Sequence, residues 1–185
     1  MARWEPDAQG RLERAALELY SERGFDQTTV AEIAERAGVT ERTFFRHFAD
    51  KREVLFRGEA LTQAMSAALA AVPDSIGPMD AMTSALEATA EFFDERKPYS
   101  VKRQAVINAN SALQERELIK LASMATLMGE GLRRRGVGEP TASLAAQAGI
   151  GVFKVAFERW LADTQDRSFA VHIRESMAEL RAVTG

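Results

Sequence analysis

The feature that most constrains the fold is a pair of short helical segments joined by a tight turn in residues 28–48, "TTVAEIAERAGVTERTFFRHF". Thr29 followed three residues later by Glu32 has the pattern of a capping box. Gly38 can adopt the left-handed backbone conformation, and Thr40 can cap the second segment. Two short helices joined so closely must cross steeply, which predicts a helix-turn-helix.

The remainder of the chain also has a helical pattern, because strand-type alternation is nowhere sustained. Asp50 and Glu53 form a second capping-box pattern, which predicts that a long fourth helix starts at Lys51. We therefore expect an all-α fold with a three-helix head over residues 1–53 and a larger helical body over 54–185. The nine predicted helices span about 7–23, 29–38, 41–47, 51–71, 79–96, 99–111, 113–135, 141–163 and 167–182.

Composition excludes several classes of protein. The chain has no cysteine, which rules out disulfides, cysteine-ligated metal sites and thiol catalysis. No apolar run approaches the ~18 residues of a membrane span, and the first residues lack the apolar region of a signal peptide. We expect a cytoplasmic protein that does not bind a membrane.

An enzyme is the main alternative, and the sequence gives it little support. The two histidines, His47 and His172, lie far apart in the chain, and neither a G-x-S-x-G motif nor a helical histidine pair is present. We therefore expect no enzymatic activity, no cofactor and no metal.

The distribution of charge points to a local anion contact. The chain has a formal net charge of −3, yet residues 36–57 hold six basic and three acidic residues. A basic region on an acidic protein is typical of a localised contact with nucleic acid, although a solvated charged face would look the same.

The third helix divides into two faces. Phe44 and Phe48 can face inward, together with Ile33 and Val39, to pack against the first helix. The N-terminal end of such a helix is where a recognition helix meets base edges. The side chains left outward are those of Glu41, Arg42, Thr43, Arg46 and His47.

The stretch "GFDQTTVAEIAERAGVTERTFFRHFADKREVLF" resembles the DNA-binding domain of the TetR family of bacterial regulators, and the resemblance covers residues 8–56. It implies a ligand-responsive regulator, a repressor, that binds a palindromic operator of double-stranded DNA as a homodimer. A small apolar or amphipathic effector would release it. A helical interaction module that does not bind DNA is the other alternative, and it would leave the outward residues of the third helix unexplained.

The resemblance also implies roles for single residues. Thr29 would cap the second helix and touch a phosphate, while Glu41, Arg42 and Thr43 would face bases. Arg42 could bind a guanine, and the Thr43 methyl could meet a thymine methyl. Phe45 stands where the family usually has a tyrosine that binds a phosphate, so its place in the core or at the DNA stays open. The expected phosphate contacts are Arg46, His47 and Lys51.

The body is expected to hold the effector, because the corresponding helices line the inducer cavity in TetR relatives. The stretch "VKRQAVINANSALQER" resembles mycofactocin-type regulators, which implies an acyl-CoA-like ligand. Simple core packing is the alternative for each apolar residue. The apolar candidates are Met82, Leu86, Phe93, Met124 and Met128, and the polar candidates are Arg103, Asn108, Asn110 and Gln147.

The last two helices are expected to form the dimer interface, as a four-helix bundle with a second copy in TetR relatives. The final helix has an apolar stripe with spacings of four, four and three, and the preceding helix has a strip of small residues. Packing inside the monomer is the alternative. The candidates are Ala145, Ala148, Gly149 and Val152, with Phe169, Ile173, Met177 and Leu180.

Overall fold

The computed structural model describes residues 7–56 and 59–185, apart from the side chain of Glu59. Arg57 lies outside these ranges. The first residues of the chain, where no signal peptide was expected, also lie outside them. The predicted all-α fold is confirmed, since the described residues form α-helices and one 3-10 helix (Glu53–Leu55) without a strand. The α-helices are α1 (Ala8–Arg23), α2 (Val30–Arg36), α3 (Glu41–His47), α4 (Glu59–Ala71), α5 (Pro78–Glu87), α6 (Ala90–Asp94), α7 (Lys97–Asn108), α8 (Ser111–Arg134), α9 (Thr141–Ala162) and α10 (Phe169–Thr184).

Within the described ranges, every helix falls short of the combination of length and apolarity that a membrane span requires.

The predicted helix-turn-helix is present in α2 and α3. Gly38 has φ of 68°, a backbone conformation that glycine adopts without strain. The next amide, that of Val39, donates to the Ala34 carbonyl at 2.9 Å and closes the turn. Thr29 and Glu32 form the predicted capping box at the start of α2. Local hydrogen bonds thus fix both the start of α2 and the turn that follows it.

The helix predicted over residues 51–71 is wrong in its first part. The Asp50 carboxylate accepts from the amides of Arg52 at 2.7 Å and Glu53 at 3.3 Å, and a 3-10 turn follows instead of an α-helix. The Glu53 carboxylate binds Arg116 Nη2 at 2.7 Å, so it does not complete the predicted capping box. A partner distant in sequence therefore decided the geometry here.

The single helix predicted over residues 79–96 is divided into α5 and α6. The Thr89 hydroxyl donates to the Leu86 carbonyl at 2.7 Å, and the Thr89 amide donates to the same carbonyl at 3.1 Å. Threonine side chains that compete for backbone acceptors tighten or end a helix.

The chain forms two compact units. The first consists of residues 1–57 and 101–118, and the second of residues 58–100 and 119–185. The first unit therefore contains the head together with the end of α7 and the start of α8, a segment that the sequence analysis assigned to the body.

The second unit is built around one large apolar core, with an aromatic cluster formed by Phe93, Phe153, Phe157, Trp160 and Phe169. α5 and α9 approach closely at Gly149, where an added Cβ would lie 2.5 Å from the Met82 methyl carbon. The Arg135 side chain, which is 6% exposed, donates to the carbonyls of Leu69 and Val72 and neutralises the end of α4.

Candidate nucleic-acid interface, effector region and dimer surface

α3 is anchored on one side and exposed on the other. Phe44 is 0% exposed and Phe48 is buried, which matches the predicted inward face. Thr40 caps the helix, since its hydroxyl accepts from the Thr43 amide at 3.2 Å. On the opposite side Glu41, Arg42 and Arg46 are exposed, and Thr43 and His47 are half-buried.

Phe45 lies with the exposed group, because 55% of its surface is accessible. Its ring is held edge-to-face against Phe44, with centroids 5.4 Å apart and an interplanar angle of 81°. The question of core or surface that the sequence left open is therefore answered in favour of the surface.

Thr29 is exposed at the start of α2, but its hydroxyl is occupied within the head. It accepts from the Glu32 amide at 3.3 Å and lies 3.0 Å from the Glu32 carboxylate. Hydrogen bonds from Thr29 and the nearby charge of Arg23 hold the pKa of Glu32 below its ordinary value. A phosphate contact of Thr29 stays a prediction that competes with this cap.

Lys51 is placed differently from the prediction. Its ammonium donates to the carbonyls of Phe25 and Thr28, each at 2.9 Å, and lies 4.3 Å from the centre of the Phe25 ring. The Asp26 carbonyl, at 3.5 Å, takes the third donor. A phosphate contact of Lys51 therefore stays a prediction that competes with these carbonyl bonds. Lys51 also precedes the 3-10 helix instead of starting the predicted α-helix.

His47 has one nitrogen turned inward. Nε2 is buried and finds no hydrogen-bond partner among the described residues, and the ring lies 6.4 Å from that of Phe48. Its phosphate contact stays a prediction, and Nδ1 is the nitrogen left to make it.

Arg103 and Asn108 belong to the first unit, so they are not part of the core that holds the predicted apolar effector residues. Arg103 Nε donates to the Leu55 carbonyl at 2.7 Å, and Nη1 donates to Glu117 at 3.2 Å. Asn110 Nδ2 donates to Asp26 at 3.1 Å. These bonds attach residues 101–118 to the head and give Arg103 a structural role.

The predicted apolar effector residues fill the core of the second unit. Met82, Leu86, Met124 and Met128 are fully or almost fully buried, and Phe93 joins the aromatic cluster. Gln147 is exposed on α9, away from them. The structure therefore does not bring the nine predicted residues together into one site.

Two surface pockets lie elsewhere. One of about 340 Å³ in the second unit is lined by paired charges, among them Arg174 with Glu87 and Arg181 with Asp80. The other, of about 210 Å³ in the first unit, is lined by Tyr20, the loop of residues 23–27 and Asn110. The first contains no predicted effector residue, and the second contains one, Asn110. Across the described ranges, acidic and histidine side chains do not gather in groups that could hold a metal ion.

Three of the four residues in the predicted dimer stripe on α10 are covered by the chain itself, which corrects those three to core positions. Phe169, Ile173 and Met177 are almost completely buried in the core of the second unit. On α9, Ala145, Gly149 and Val152 are buried there as well. Only Ala148 and Leu180 keep part of their surface accessible.

α9 has a second apolar face that the sequence analysis missed. Leu144 is 66% exposed and Val155 is 47% exposed, with Ala148 and Gly151 between them at spacings of four, three and four. The spacing was visible in the sequence. Of the predicted strip of small residues, Ala148 lies on this exposed face, whereas Ala145, Gly149 and Val152 lie on the core face.

Comparison with known proteins agrees with this geometry. Residues 13–57 match the model described as bacterial regulatory proteins of the tetR family. Residues 76–185 match the MftR C-terminal domain.

Curated relatives are transcriptional regulators. The regulator TcmR of Streptomyces glaucescens is 46% identical over 79 residues, which cover 42% of this chain and only 35% of TcmR. The putative mycofactocin biosynthesis regulator MftR of Mycobacterium tuberculosis is 29% identical over 153 residues, covering 80% of this chain and 77% of MftR.

Solved structures show the same fold. The fatty acid degradation regulator FadR of Bacillus halodurans superposes with a TM-score of 0.62 at 15% identity, over 95% of each chain. FadR of Bacillus subtilis, solved with stearoyl-CoA, also gives 0.62, at 17% identity over 91% of this chain and 95% of that one. The chain therefore belongs to the TetR family of bacterial transcriptional regulators, with a C-terminal domain of the MftR type, and the family is one of regulators rather than enzymes.

Proposed function

We propose that this protein is a homodimeric repressor that binds a two-fold symmetric operator through α3 and is released by a long-chain acyl-CoA or a similar amphipathic effector. The observation that carries the proposal is the division of α3. Phe44 and Phe48 fix the helix to the head, and the exposed Arg42, Phe45 and Arg46 present a mixed basic and apolar face.

Arg42 is the residue best suited to read a base. It lies in the first turn of α3, which is the part of a recognition helix that meets base edges, and its side chain is exposed. A guanidinium can donate two bonds to the O6 and N7 atoms of guanine. Glu41 and Thr43 flank it, whereas Arg46 and His47 follow toward the phosphates.

The test of DNA binding is a fluorescence anisotropy titration with duplexes selected from random DNA by the wild-type protein. Arg42→Ala is expected to reduce the preference for the selected sequence about tenfold or more. Arg174→Ala, which removes an exposed arginine from the second unit, is the control and should bind normally. Full sequence preference in Arg42→Ala would contradict the assignment, and wild-type protein that selects no duplex would contradict the function.

The dimer is proposed to form through the exposed apolar face of α9. Leu144, Ala148, Gly151 and Val155 follow the spacing with which paired helices interlock, and Gly151 has open space around its Cβ position. Two copies related by a two-fold axis would each bring one α9, and a dimer can place two α3 helices ~34 Å apart, one turn of DNA.

Analytical ultracentrifugation tests this surface. Leu144→Glu and Val155→Glu are expected to dissociate the dimer, because each places a charge in the middle of an apolar contact. Val183→Glu on α10 changes a side chain that is 85% exposed and lies off this face, so it serves as the control. Unchanged dimers in both α9 variants would place the interface elsewhere.

The proposed effector class is supported by relatives. Two FadR regulators of the same fold were solved with stearoyl-CoA and lauroyl-CoA, and the C-terminal half of this chain is of the MftR type. The core of the second unit holds Met82, Met124 and Met128, whose unbranched thioethers can repack around an acyl chain.

An effector can release DNA only if it binds the DNA-free conformation more tightly than the DNA-bound one. Stearoyl-CoA, lauroyl-CoA, free CoA and stearate are therefore titrated against the operator complex. We expect the acyl-CoAs to lower DNA affinity and free CoA to have no effect. If no acyl-CoA or fatty acid changes the affinity, the proposed effector class is wrong, while the DNA-binding assignment is unaffected.

A further inference from the structure

Phe45 differs from every other phenylalanine of the first unit in its environment. Phe25, Phe44, Phe48 and Phe56 are buried, whereas Phe45 is 55% exposed. It also stands on a helix face otherwise made of charged side chains, those of Glu41, Arg42 and Arg46. An exposed aromatic ring on such a face gains free energy when an apolar group covers it.

The ring of Phe45 contacts a side chain that is buried in the core. Phe44 is fixed in the core, and the edge-to-face contact between Phe44 and Phe45 holds the second ring at 81° to the first. Arg42 lies three residues before Phe45, so the two side chains are neighbours on one face of the helix. We therefore expect Phe45 to reach the position on the DNA that is adjacent to the one Arg42 contacts.

A phenyl ring has no hydrogen-bonding atom, which limits what it can recognise on DNA. It cannot donate to a phosphate, and it cannot bond to the polar atoms of a base edge. The major groove offers one apolar group on a base edge, the C5-methyl group of thymine. We propose that Phe45 recognises a thymine in each half-site by contacting the C5-methyl group of that base. This inference rests on the proposed DNA-binding function of α3.

This assignment changes the kind of contact made at this position. A tyrosine hydroxyl that binds a phosphate orients the protein but carries no sequence information. A phenyl ring on a thymine methyl discriminates thymine from cytosine and from uracil. The binding specificity of this protein would then depend on two neighbouring side chains, Arg42 for a guanine and Phe45 for a thymine.

The experiment is a double-mutant cycle between protein and DNA, using the full-length chain and the duplex that the wild-type protein selects. Each thymine of one half-site, and its symmetry mate in the other, is replaced by uracil, which removes only the methyl group. For wild type we expect one position at which the change weakens binding about fourfold per half-site, the effect of one lost methyl contact.

The variants locate the contact. In Phe45→Ala, the same uracil substitution should have no further effect, because the ring that covers the methyl is gone. Phe45→Leu keeps an apolar side chain and should retain most of the uracil effect. Arg46→Ala is the matched control on the same helix, and it should weaken binding to both duplexes equally and leave the uracil effect intact. Thermal unfolding of each variant establishes that the head remains folded.

Three outcomes would overturn the inference. A uracil effect that persists unchanged in Phe45→Ala assigns the methyl contact to another residue, such as Thr43. Weaker binding of Phe45→Ala with no coupling to any thymine means that the ring packs on the sugar-phosphate backbone. A wild-type protein that selects no duplex at all refutes the proposed function, and the inference with it.

Discussion

α3 and α10 carry apolar stripes of similar regularity, and the sequence predicted core packing for the first and pairing with a second copy for the second, yet the structure buries both within the chain. On α3 the residues Phe44 and Phe48 are covered by the head, and the other side of the helix stays exposed. On α10 Phe169, Ile173 and Met177 are buried by α9, α5 and α6 of the same chain, and only Leu180 keeps part of its surface accessible. A periodic stripe shows that a helix has an apolar face, but it does not show which surface covers that face.

The prediction with the largest expected effect distinguishes a core position on α10 from a position in a dimer interface. Phe169→Ala removes a fully buried ring from the aromatic cluster and is expected to lower the free energy of unfolding by about 3–5 kcal/mol. Chemical denaturation at two protein concentrations measures it. If the loss appeared as weaker dimerisation with unchanged stability of the monomer, the residue would belong to an interface after all.

The second prediction distinguishes two roles of Lys51, stabilisation of the head and contact with a DNA phosphate. Lys51→Met keeps the apolar stem and removes the ammonium that three carbonyls accept, so the free energy of unfolding should fall by about 2 kcal/mol. The salt dependence of DNA binding should not change. Lys102→Met, an exposed lysine on α7, is the control. If the slope of log K against log salt concentration became smaller in magnitude by about 0.9 in Lys51→Met, the predicted phosphate contact would be supported.

The smallest effect is a dependence of stability on pH at the junction of α9 and α10. Burial alone would raise the pKa of Asp163, but hydrogen bonds from Arg167 and the Gln165 amide, with the positive charge of Arg167, lower it to about 2. His172 Nε2 lies 2.9 Å from the same carboxylate.

Because the folded-state pKa lies below the ordinary value of 3.8, this stabilisation is present above about pH 4 and is lost as the pH falls toward 2. Asp163→Asn should therefore lose less stability over that interval than wild type does. Asp166→Asn, whose side chain is 96% exposed, is the control. Parallel acid-unfolding curves for wild type and Asp163→Asn would show that the carboxylate contributes nothing.

Much of the head could be predicted from sequence, because its geometry is set by residues close together in the chain. The capping box of Thr29, the positive φ of Gly38 and the cap by Thr40 all involve partners within a few positions. The early part of the fourth helix could not be predicted, since Glu53 binds Arg116, a partner 63 residues away. The position of Arg103 could not be predicted for the same reason, because it is bonded to Leu55 across 48 residues.

The sequence by itself determined the helical class, the helix-turn-helix and the family, since helix periodicity, caps and turns depend on short-range sterics and hydrogen bonds. Only the tertiary structure decided which faces are covered. It placed the α10 stripe in the core, left Leu144 and Val155 exposed on α9, directed Lys51 toward backbone carbonyls, and left Phe45 at the surface. The physical reason is that burial is a property of packing between distant segments, and one residue's own neighbours in sequence do not determine it.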